Sequence, residues 1–451
     1  MSSTAVSDVK DLGQTTPNRF YSLILGSASP RRQKLLKYLG QPFKSIPANI
    51  DETKITSETP AEYALRMAQE KAMKIAQMID KSSIVIGGDT VVALDNEVLG
   101  KPASVQEAKR TLSKLANHEH KVLSAWAIVE RNSKQVISVL DSGVCQSIVS
   151  MRAIDDQEMN EYIASGEPLD KAGSYGIQGQ GGRFVNEVKG SFFSIIGLPL
   201  IDLYNSMLKH NLLEDEQGLV KRGIELRERV AFAAWRSSRS VDSVEVLAVS
   251  KFHSLKKINQ AYACDFRYFG ESYVQELLKK RRELKDEEQL VLEQNITWHY
   301  IGGIQSNKAK RIGAHSHWVH GLTRLSEAQK LAQGAQEQGI TLKVFIQVNL
   351  AEEQSKGGVQ EHELRDLLNA CQSLEALDIV GLMTFPPLDT PENNRPYFKS
   401  LRSLRDQLES EGYSLPHLSM GTSGDFEIAI EEGATWVRLG RSLFGERPPV
   451  S

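Results

Sequence analysis

Two sets of residues in this 451-residue chain are of types able to do chemistry on phosphates. Ser27-Ala28-Ser29-Pro30-Arg31-Arg32 stands between a strand-like run and a helix that opens on Pro30. A helix N-terminus offers free amides, the hydroxyls add donors, and two guanidiniums can grip phosphate oxygens in bidentate fashion. Further on, Asp51-Glu52 follows FKSIPANI, read as strand-like. Asp89 follows Gly87-Gly88 at the expected end of a strand, and Lys101 sits in Gly100-Lys101-Pro102. Any one carboxylate is more often a solvated surface residue. Together, carboxylates beside cationic grips suit Mg²⁺- or Mn²⁺-assisted attack of water on a phosphate, a carboxylate taking the water's proton.

A second set lies in the other half. Lys251 ends the apolar run Val246–Ser250, where a strand would deliver it partly buried, with the lowered amine pKa that covalent capture of an aldehyde needs. Ser419-Met420-Gly421-Thr422-Ser423-Gly424 and Arg438-Leu439-Gly440-Arg441-Ser442 supply the small residues, hydroxyls and cations of a phosphate cradle. An amine facing a phosphate cradle fits a phosphorylated aldehyde, pyridoxal 5'-phosphate (PLP).

The elements that must position these groups divide in two. A polar tail over 1–19 is expected to be disordered. Capping boxes at Thr59–Glu62 and Ser104–Glu107 open helices between strands, giving an α/β domain over 20–210. A polar linker is placed at 211–221 within KHNLLEDEQGLVK, and a helix is expected from about Arg222 to Arg239. Over 222–449 eight strand-like runs (VEVLAVS, FRYFG, ITWHYIG, HWVHG, LKVFIQVNL, LDIVGLMTF, LPHLSMG, TWVRLG) alternate with helical periodicity. That alternation predicts a (β/α)8 TIM-type barrel, with Lys251 and the cradle at its C-terminal mouth.

Composition narrows the function classes. At 40% hydrophobic and 25% charged residues with net charge -3, the chain has no broad field for nucleic acid or an anionic membrane, and no apolar run of membrane-spanning length. The polar N-terminus lacks a signal-peptide core, so a cytoplasmic protein is expected. Cys145, Cys264 and Cys371 are too dispersed for a CxxC pair and read as buried small hydrophobes. His315-Ser316-His317 has no nearby carboxylate for a metal and is placed at a strand entry. Lys279–Arg282, beside Glu283, Asp286, Glu287 and Glu288, reads as a solvated mixed-charge helix, not a nucleic-acid patch. Pro386-Pro387 and Pro448-Pro449 read as a loop and a terminal stop.

Residues 20–210 resemble the Maf family of nucleoside triphosphate pyrophosphatases through SASPRR (27–32), IDE (50–52), EKA (70–72), GGDTVV (87–92), GKP (100–102), LDKAGSYGIQGQGGRFV (169–185) and IIGLPL (195–200). The resemblance implies metal-dependent hydrolysis of a nucleoside triphosphate to monophosphate and pyrophosphate. By position it makes Asp89 the catalytic proton acceptor. It assigns metal binding to Glu52 and Asp89, and substrate binding to Ser29, Arg32, Lys71 and Lys101. Arg31, Thr90 and Gln178 resemble the dTTP/UTP type; the alternative 7-methyl-GTP type has Trp, Gln and Glu there. A neutral Gln can donate to and accept from a pyrimidine edge. Maf-like domains often dimerise, so the resemblance allows a homodimer through this half.

Residues 222–449 resemble the pyridoxal phosphate homeostasis protein family through LAVSK (247–251), FGESYVQE (269–276), WHYIGGIQSNK (298–308), IQVNL (346–350), SKGG (355–358), GLMTF (381–385), LSMGTSGDFEIAI (418–430) and VRLGRSLFG (437–445). This implies a Schiff base on Lys251 and phosphate contacts from Ser423, Gly440 and Arg441. Asn307, His299 and Arg438 are candidates for the mouth. Many members carry Asn where Ser272 stands, and Ser272 is given no role. The related amino acid racemases carry a further β-rich domain after the barrel; with the chain ending at Ser451, a non-catalytic PLP carrier is the expected reading and a racemase the alternative. The expectation is therefore a bifunctional fusion whose two activities share no evident substrate.

Overall fold

The computed structural model describes residues 21–285, 290–351, 357–387 and 389–446. The expected N-terminal tail, Asp286–Glu288, Pro448-Pro449 and the first two residues of SKGG lie outside the described residues.

In the N-terminal half the chain builds one mixed sheet of seven strands: β1 (Ser22–Leu25), β2 (Lys44–Ser45), β3 (Ser83–Leu94), β4 (Glu97–Leu99), β5 (Glu119–Arg131), β6 (Ile137–Met151) and β7 (Val185–Lys189). Their order is β2-β1-β3-β5-β6-β7, with β4 hairpinned onto β3. β1 runs parallel to β2 and β3, while β3, β5, β6 and β7 are successively antiparallel. FKSIPANI contributes only the two residues of β2, so Glu52 is carried by irregular chain. Asp89 is seven residues into the twelve of β3, in mid-strand and not at a strand end. The helix Pro60–Met78 has the predicted capping box at Thr59 and lies against β3. Gly87 permits that approach: a Cβ there would stand 2.0 Å from the Ala68 carbonyl oxygen. The second predicted helix, Val105–Leu115, is capped by Ser104 accepting from the Glu107 amide.

The C-terminal half closes eight parallel strands into a barrel: β8 (Glu245–Val249), β9 (Tyr268–Glu271), β10 (Thr297–Tyr300), β11 (Trp318–Leu322), β12 (Leu342–Gln347), β13 (Leu377–Met383), β14 (His417–Ser419) and β15 (Trp436–Leu439). All eight sequence-predicted runs supply one strand each, and β15 pairs with β8 to close the ring. Between the halves, Gly218 adopts φ 64° and starts the helix Leu219–Arg236, three residues before the predicted start. Leu212 and Leu213 of the polar segment are buried. That helix serves both halves. Glu228 accepts from Ser191 Oγ (2.6 Å) and the Phe193 amide (2.9 Å) on one side. Arg222 Nε donates to the Leu443 carbonyl (2.8 Å) on the other. One continuous apolar cluster runs from Leu25 and Phe193 through Ile224 to Leu439.

Cys264 and Cys371 are buried as expected, whereas Cys145 is half-buried on β6. His317 stands at the entry to β11, as read from sequence, and its Nδ1 accepts from the Trp298 amide. Among the described residues no helix is long and apolar enough to cross a membrane.

The barrel interior is not uniformly apolar. His299 Nδ1 and His320 Nε2 are 2.9 Å apart, and His320 Nδ1 is 2.8 Å from Ser419 Oγ. Ser419 Oγ also accepts from Arg438 (2.7 Å). Ser419 Oγ can in turn donate its proton to His320 Nδ1. Burial holds both imidazoles well below the usual histidine pKa. In the other domain it pushes buried His120, paired with Tyr175 OH at 2.8 Å, down to about 4. These three rings stay neutral folded but take up protons below about pH 6.5 once unfolded. Stability therefore falls as pH drops through that window, by up to about 1.4 kcal/mol per histidine per pH unit. Urea unfolding followed by tryptophan fluorescence should give a clearly lower midpoint at pH 5 than at pH 7.5; an equal midpoint would refute the account.

Candidate functional sites

In the N-terminal domain the helix Pro60–Met78 and β3 bring Lys71 against Asp89. Lys71 Nζ is 2.7 Å from Asp89 Oδ1 and 2.7 Å from Glu52 Oε1, so one buried ammonium gathers both carboxylates. Hydrogen bonding from Lys71 outweighs partial burial and lowers the Glu52 pKa, with Lys101 and Arg32 adding to the pull. Arg32 comes from the helix Pro30–Lys37, whose N-cap is Ser29. Its Nε donates to the Gly197 carbonyl (2.9 Å), one terminal nitrogen to Thr90 Oγ1 (3.2 Å) and the other to Ser27 Oγ (3.4 Å). Burial lowers the Arg32 pKa, against an opposing pull from Asp89. Thr90 Oγ1 lies 2.9 Å from Ser124 Oγ, so Thr90 buttresses Arg32 beside the carboxylates.

The three positions associated with nucleotide type are not together. Thr90 stands under Arg32, whereas Arg31 and Gln178 line a cleft of about 470 Å³ on the side facing the barrel. Lys101 is exposed and acts on Glu52 through its charge. Sequence reasoning missed Glu167, whose carboxylate accepts from Tyr162 OH (2.9 Å) and from the amides of Gln180 (2.9 Å) and Gly181 (3.2 Å), shaping the loop that carries Gln178. Its signal was a lone Gly-Glu-Pro with no periodicity around it.

A divalent cation suits this donor set. Glu52 and Asp89 already converge on one positive atom, and Mg²⁺ is commonly held by one or two carboxylates, with phosphate oxygens and waters completing the shell. Among the described residues no group of three or more His, Cys, Asp or Glu could hold a metal alone.

In the barrel, β8 ends one residue short of Ser250 and delivers Lys251 to a pocket of about 220 Å³, shared with Ser423, Arg438, Gly440 and Arg441. β14, β15 and β8 are consecutive around the ring, so the loops after them are neighbours. Ser423 Oγ accepts from the Ser442 amide (3.3 Å), tying the two cradle loops together. Asp425 fixes the first by accepting from the Thr422 amide (2.7 Å) and from buried Asn394 (2.9 Å). Arg438 is buried beneath Phe385, donating to the Ser419 and Thr384 carbonyls, while its Nε has no partner. Burial brings its pKa down to about 10.

The chain on both sides of Lys251 is fixed from below. Ser250 Oγ donates to Glu271 (2.6 Å), Lys280 Nζ bonds the Ser250 carbonyl (2.9 Å), Glu271 (2.8 Å) and Glu276 (2.7 Å), and Glu276 accepts from the Phe252 amide (2.7 Å). Lys280, read from sequence as part of a solvated helix, is buried in this network. Ser272 is within 3.2 Å of Lys251 Nζ and is thus a contact of the amine. Asn307 is exposed in the turn before the helix Ala309–His315 and does not line the pocket; His299 is buried inside the barrel. An amine, tied hydroxyl and glycine loops with Arg441, and buried Arg438 with an unpartnered Nε, all lining one pocket, fit a phosphorylated ring aldehyde.

Comparison with known proteins agrees with this division. Residues 22–210 match the Maf-like protein family, and residues 228–448 match the alanine racemase N-terminal domain family. A dTTP/UTP pyrophosphatase of Vibrio vulnificus is 42% identical over 182 residues, 40% of this chain and 95% of that protein. A pyridoxal phosphate homeostasis protein of Aquifex aeolicus is 42% identical over 222 residues, 49% of this chain and 94% of that protein. The PLP-bound structure of PipY from Synechococcus elongatus is 36% identical and covers 49% of this chain and 100% of that one, at a TM-score of 0.43. The chain therefore belongs to two families at once, joining a Maf-like domain of the dTTP/UTP pyrophosphatase kind to a barrel of the pyridoxal phosphate homeostasis protein family.

Proposed function

We propose that the N-terminal domain hydrolyses dTTP and UTP to the monophosphate and pyrophosphate, and that the barrel holds PLP through Lys251 without turning over a substrate. The observation that carries the first half is the Lys71 ammonium between Glu52 and Asp89. Glu52 and Asp89 would hold a divalent metal, which supplies charge neutralisation at the phosphate and a more acidic water. Asp89 takes the proton of the attacking water, and Lys71, 2.7 Å away, holds its carboxylate in position. Arg32, pinned by Gly197, Thr90 and Ser27, presents a fixed guanidinium to phosphate oxygens, with the Ser29-capped helix start beside it.

Pyrophosphate release in Mg²⁺ or Mn²⁺ should be fast with dTTP and UTP and slower with 7-methyl-GTP. Asp89→Asn should lower kcat by about 10²-fold or more. A preference for 7-methyl-GTP, or an unimpaired Asp89→Asn, contradicts the assignment.

For the barrel, the supporting observation is Lys251 across one pocket from Ser423, Gly440 and Arg441. Bound PLP supplies an electrophilic aldehyde and an electron-withdrawing ring. The chain's own part is to anchor the aldehyde carbon at Lys251 Nζ, hold the phosphate at the loops after β14 and β15, and keep Lys251 in place through Ser250, Glu271 and Lys280. The visible band of PLP-loaded protein should vanish in Lys251→Ala, and amino acids should show no stereospecific solvent deuterium exchange. Rapid exchange with turnover favours a racemase instead.

A further inference from the structure

Between the domains lies a cleft that neither half needs for its own fold. One wall is the nucleotide domain's Arg31, Gln178 and Tyr38; the other is the start of the barrel, with Arg227, Glu245 and Tyr268. The barrel turns its N-terminal end to this cleft, since Glu245 and Tyr268 are the first residues of β8 and β9, and its PLP pocket opens at the opposite end of the strands.

Arg227 is the unusual group. Its guanidinium carbon stands 4.4 Å from the ring centre of Tyr38 in the nucleotide domain and 4.1 Å from that of Phe266 in the barrel. A ring from each domain thus lies within cation–π range of it. Among the described residues no carboxylate or carbonyl takes its N–H groups, and its buried Nε has no partner. Arg31 likewise makes no hydrogen bond or ion pair among the described residues, whereas Lys34 at the rim is paired with Asp242 and Arg267 with Asp265. Two unspent guanidiniums therefore share one aromatic-walled space with Gln178 and Glu245.

We propose that this cleft is the chamber for the nucleoside end of the pyrophosphatase substrate, so that the barrel domain, through Arg227, supplies part of the pyrimidine-recognising wall. This rests on the pyrophosphatase reading above. The phosphate grips, Arg32, Lys71 and Lys101, gather around Asp89 and Glu52, outside this cleft. On its barrel wall Asp242 is paired with Lys34 and Asp265 with Arg267, while Glu245 has no ion pair among the described residues. Uracil and thymine offer two carbonyl acceptors flanking one N–H donor. The stacked Arg227 presents its N–H edge to such acceptors, Glu245 can accept from the N–H, and Gln178 can do either. Arg31, next in the chain to Arg32, joins the two compartments.

The test uses the full chain, with Arg227→Ala and Arg227→Lys assayed for pyrophosphate release from dTTP, UTP and ATP in Mg²⁺. Both variants should raise KM for dTTP and UTP about tenfold, the weight of one charge-assisted hydrogen bond, with kcat within about twofold and ATP unaffected. Lysine keeps a cation between the rings but loses the planar fork, so full recovery in Arg227→Lys overturns the proposal. So does an unchanged KM in Arg227→Ala, or a loss shared equally by all three nucleotides. If the wild type releases no pyrophosphate from dTTP or UTP, the pyrophosphatase reading fails by itself. Calorimetric titration of UMP into wild type and Arg227→Ala then decides the chamber: about tenfold weaker binding in the variant supports it, and equal or absent binding overturns it.

Discussion

The helix Leu219–Arg236 must satisfy two cores at once, and the arrangement of the whole molecule depends on that constraint. On one side Phe232 and Trp235 stack at 5.4 Å and pack against Phe192 of the nucleotide domain. On the other, the helix packs against the barrel's helices Phe426–Glu431 and Arg441–Phe444, and Arg229 pairs with Glu427 at 3.0 Å. A linker with only one buried face would leave the domains free to rotate. A helix buried on both sides does not, because any rotation exposes one of the two apolar stripes. The barrel's N-terminal end is thereby held over the nucleotide domain, and its C-terminal mouth is left open.

The two sites use the same physical device in different ways. Each sets an amine at the end of a chain of buried polar contacts, but the amine's partners decide what it can do. Lys71 is held by two carboxylates, so its charge is spent on drawing Asp89 and Glu52 together and on lowering the Glu52 pKa. Lys251 has a hydroxyl, Ser272, for a near contact, and the carboxylates of that region are taken by Lys280. Lys280 thus engages the two carboxylates beneath Lys251 and also bonds the Ser250 carbonyl, fixing the chain that carries the amine.

Much of this was legible in the sequence, for identifiable reasons. The eight barrel strands show because each is a short apolar run bounded by turn residues, and the capping boxes at Thr59 and Ser104 announce their helices locally. Asp89 was placed at a strand end because Gly87-Gly88 resembled a break. Instead the glycines let the helix Pro60–Met78 press on a strand that continues. Lys280 was misread because KKRR has the charge density of a solvated face, and nothing local shows that one of its four cations is aimed at Glu271. Ser272 was passed over because the resemblance expects Asn there, although a hydroxyl suffices to reach Lys251. Each miss concerns a contact that only the folded chain makes.

The same limit explains why the cleft between the domains could not be read from either half. Residues matching a single-domain family are fixed by what that domain needs, and Arg31 and Gln178 belong to that set. Arg227 does not: it lies on the joining helix, ahead of the first barrel strand, where a cation would ordinarily be a solvated surface residue. Its place between Tyr38 and Phe266 exists only when both domains are present. Two rings this close cost the guanidinium part of its hydration without removing its charge or giving its N–H groups an acceptor. Such a group is worth keeping in an interface if something arrives to take those hydrogens, and the open space beside it already carries Arg31 and Gln178. Joining the domains thus does more to the nucleotide site than to the cofactor site, since the cofactor pocket faces away from the junction and the nucleotide cleft is completed by it.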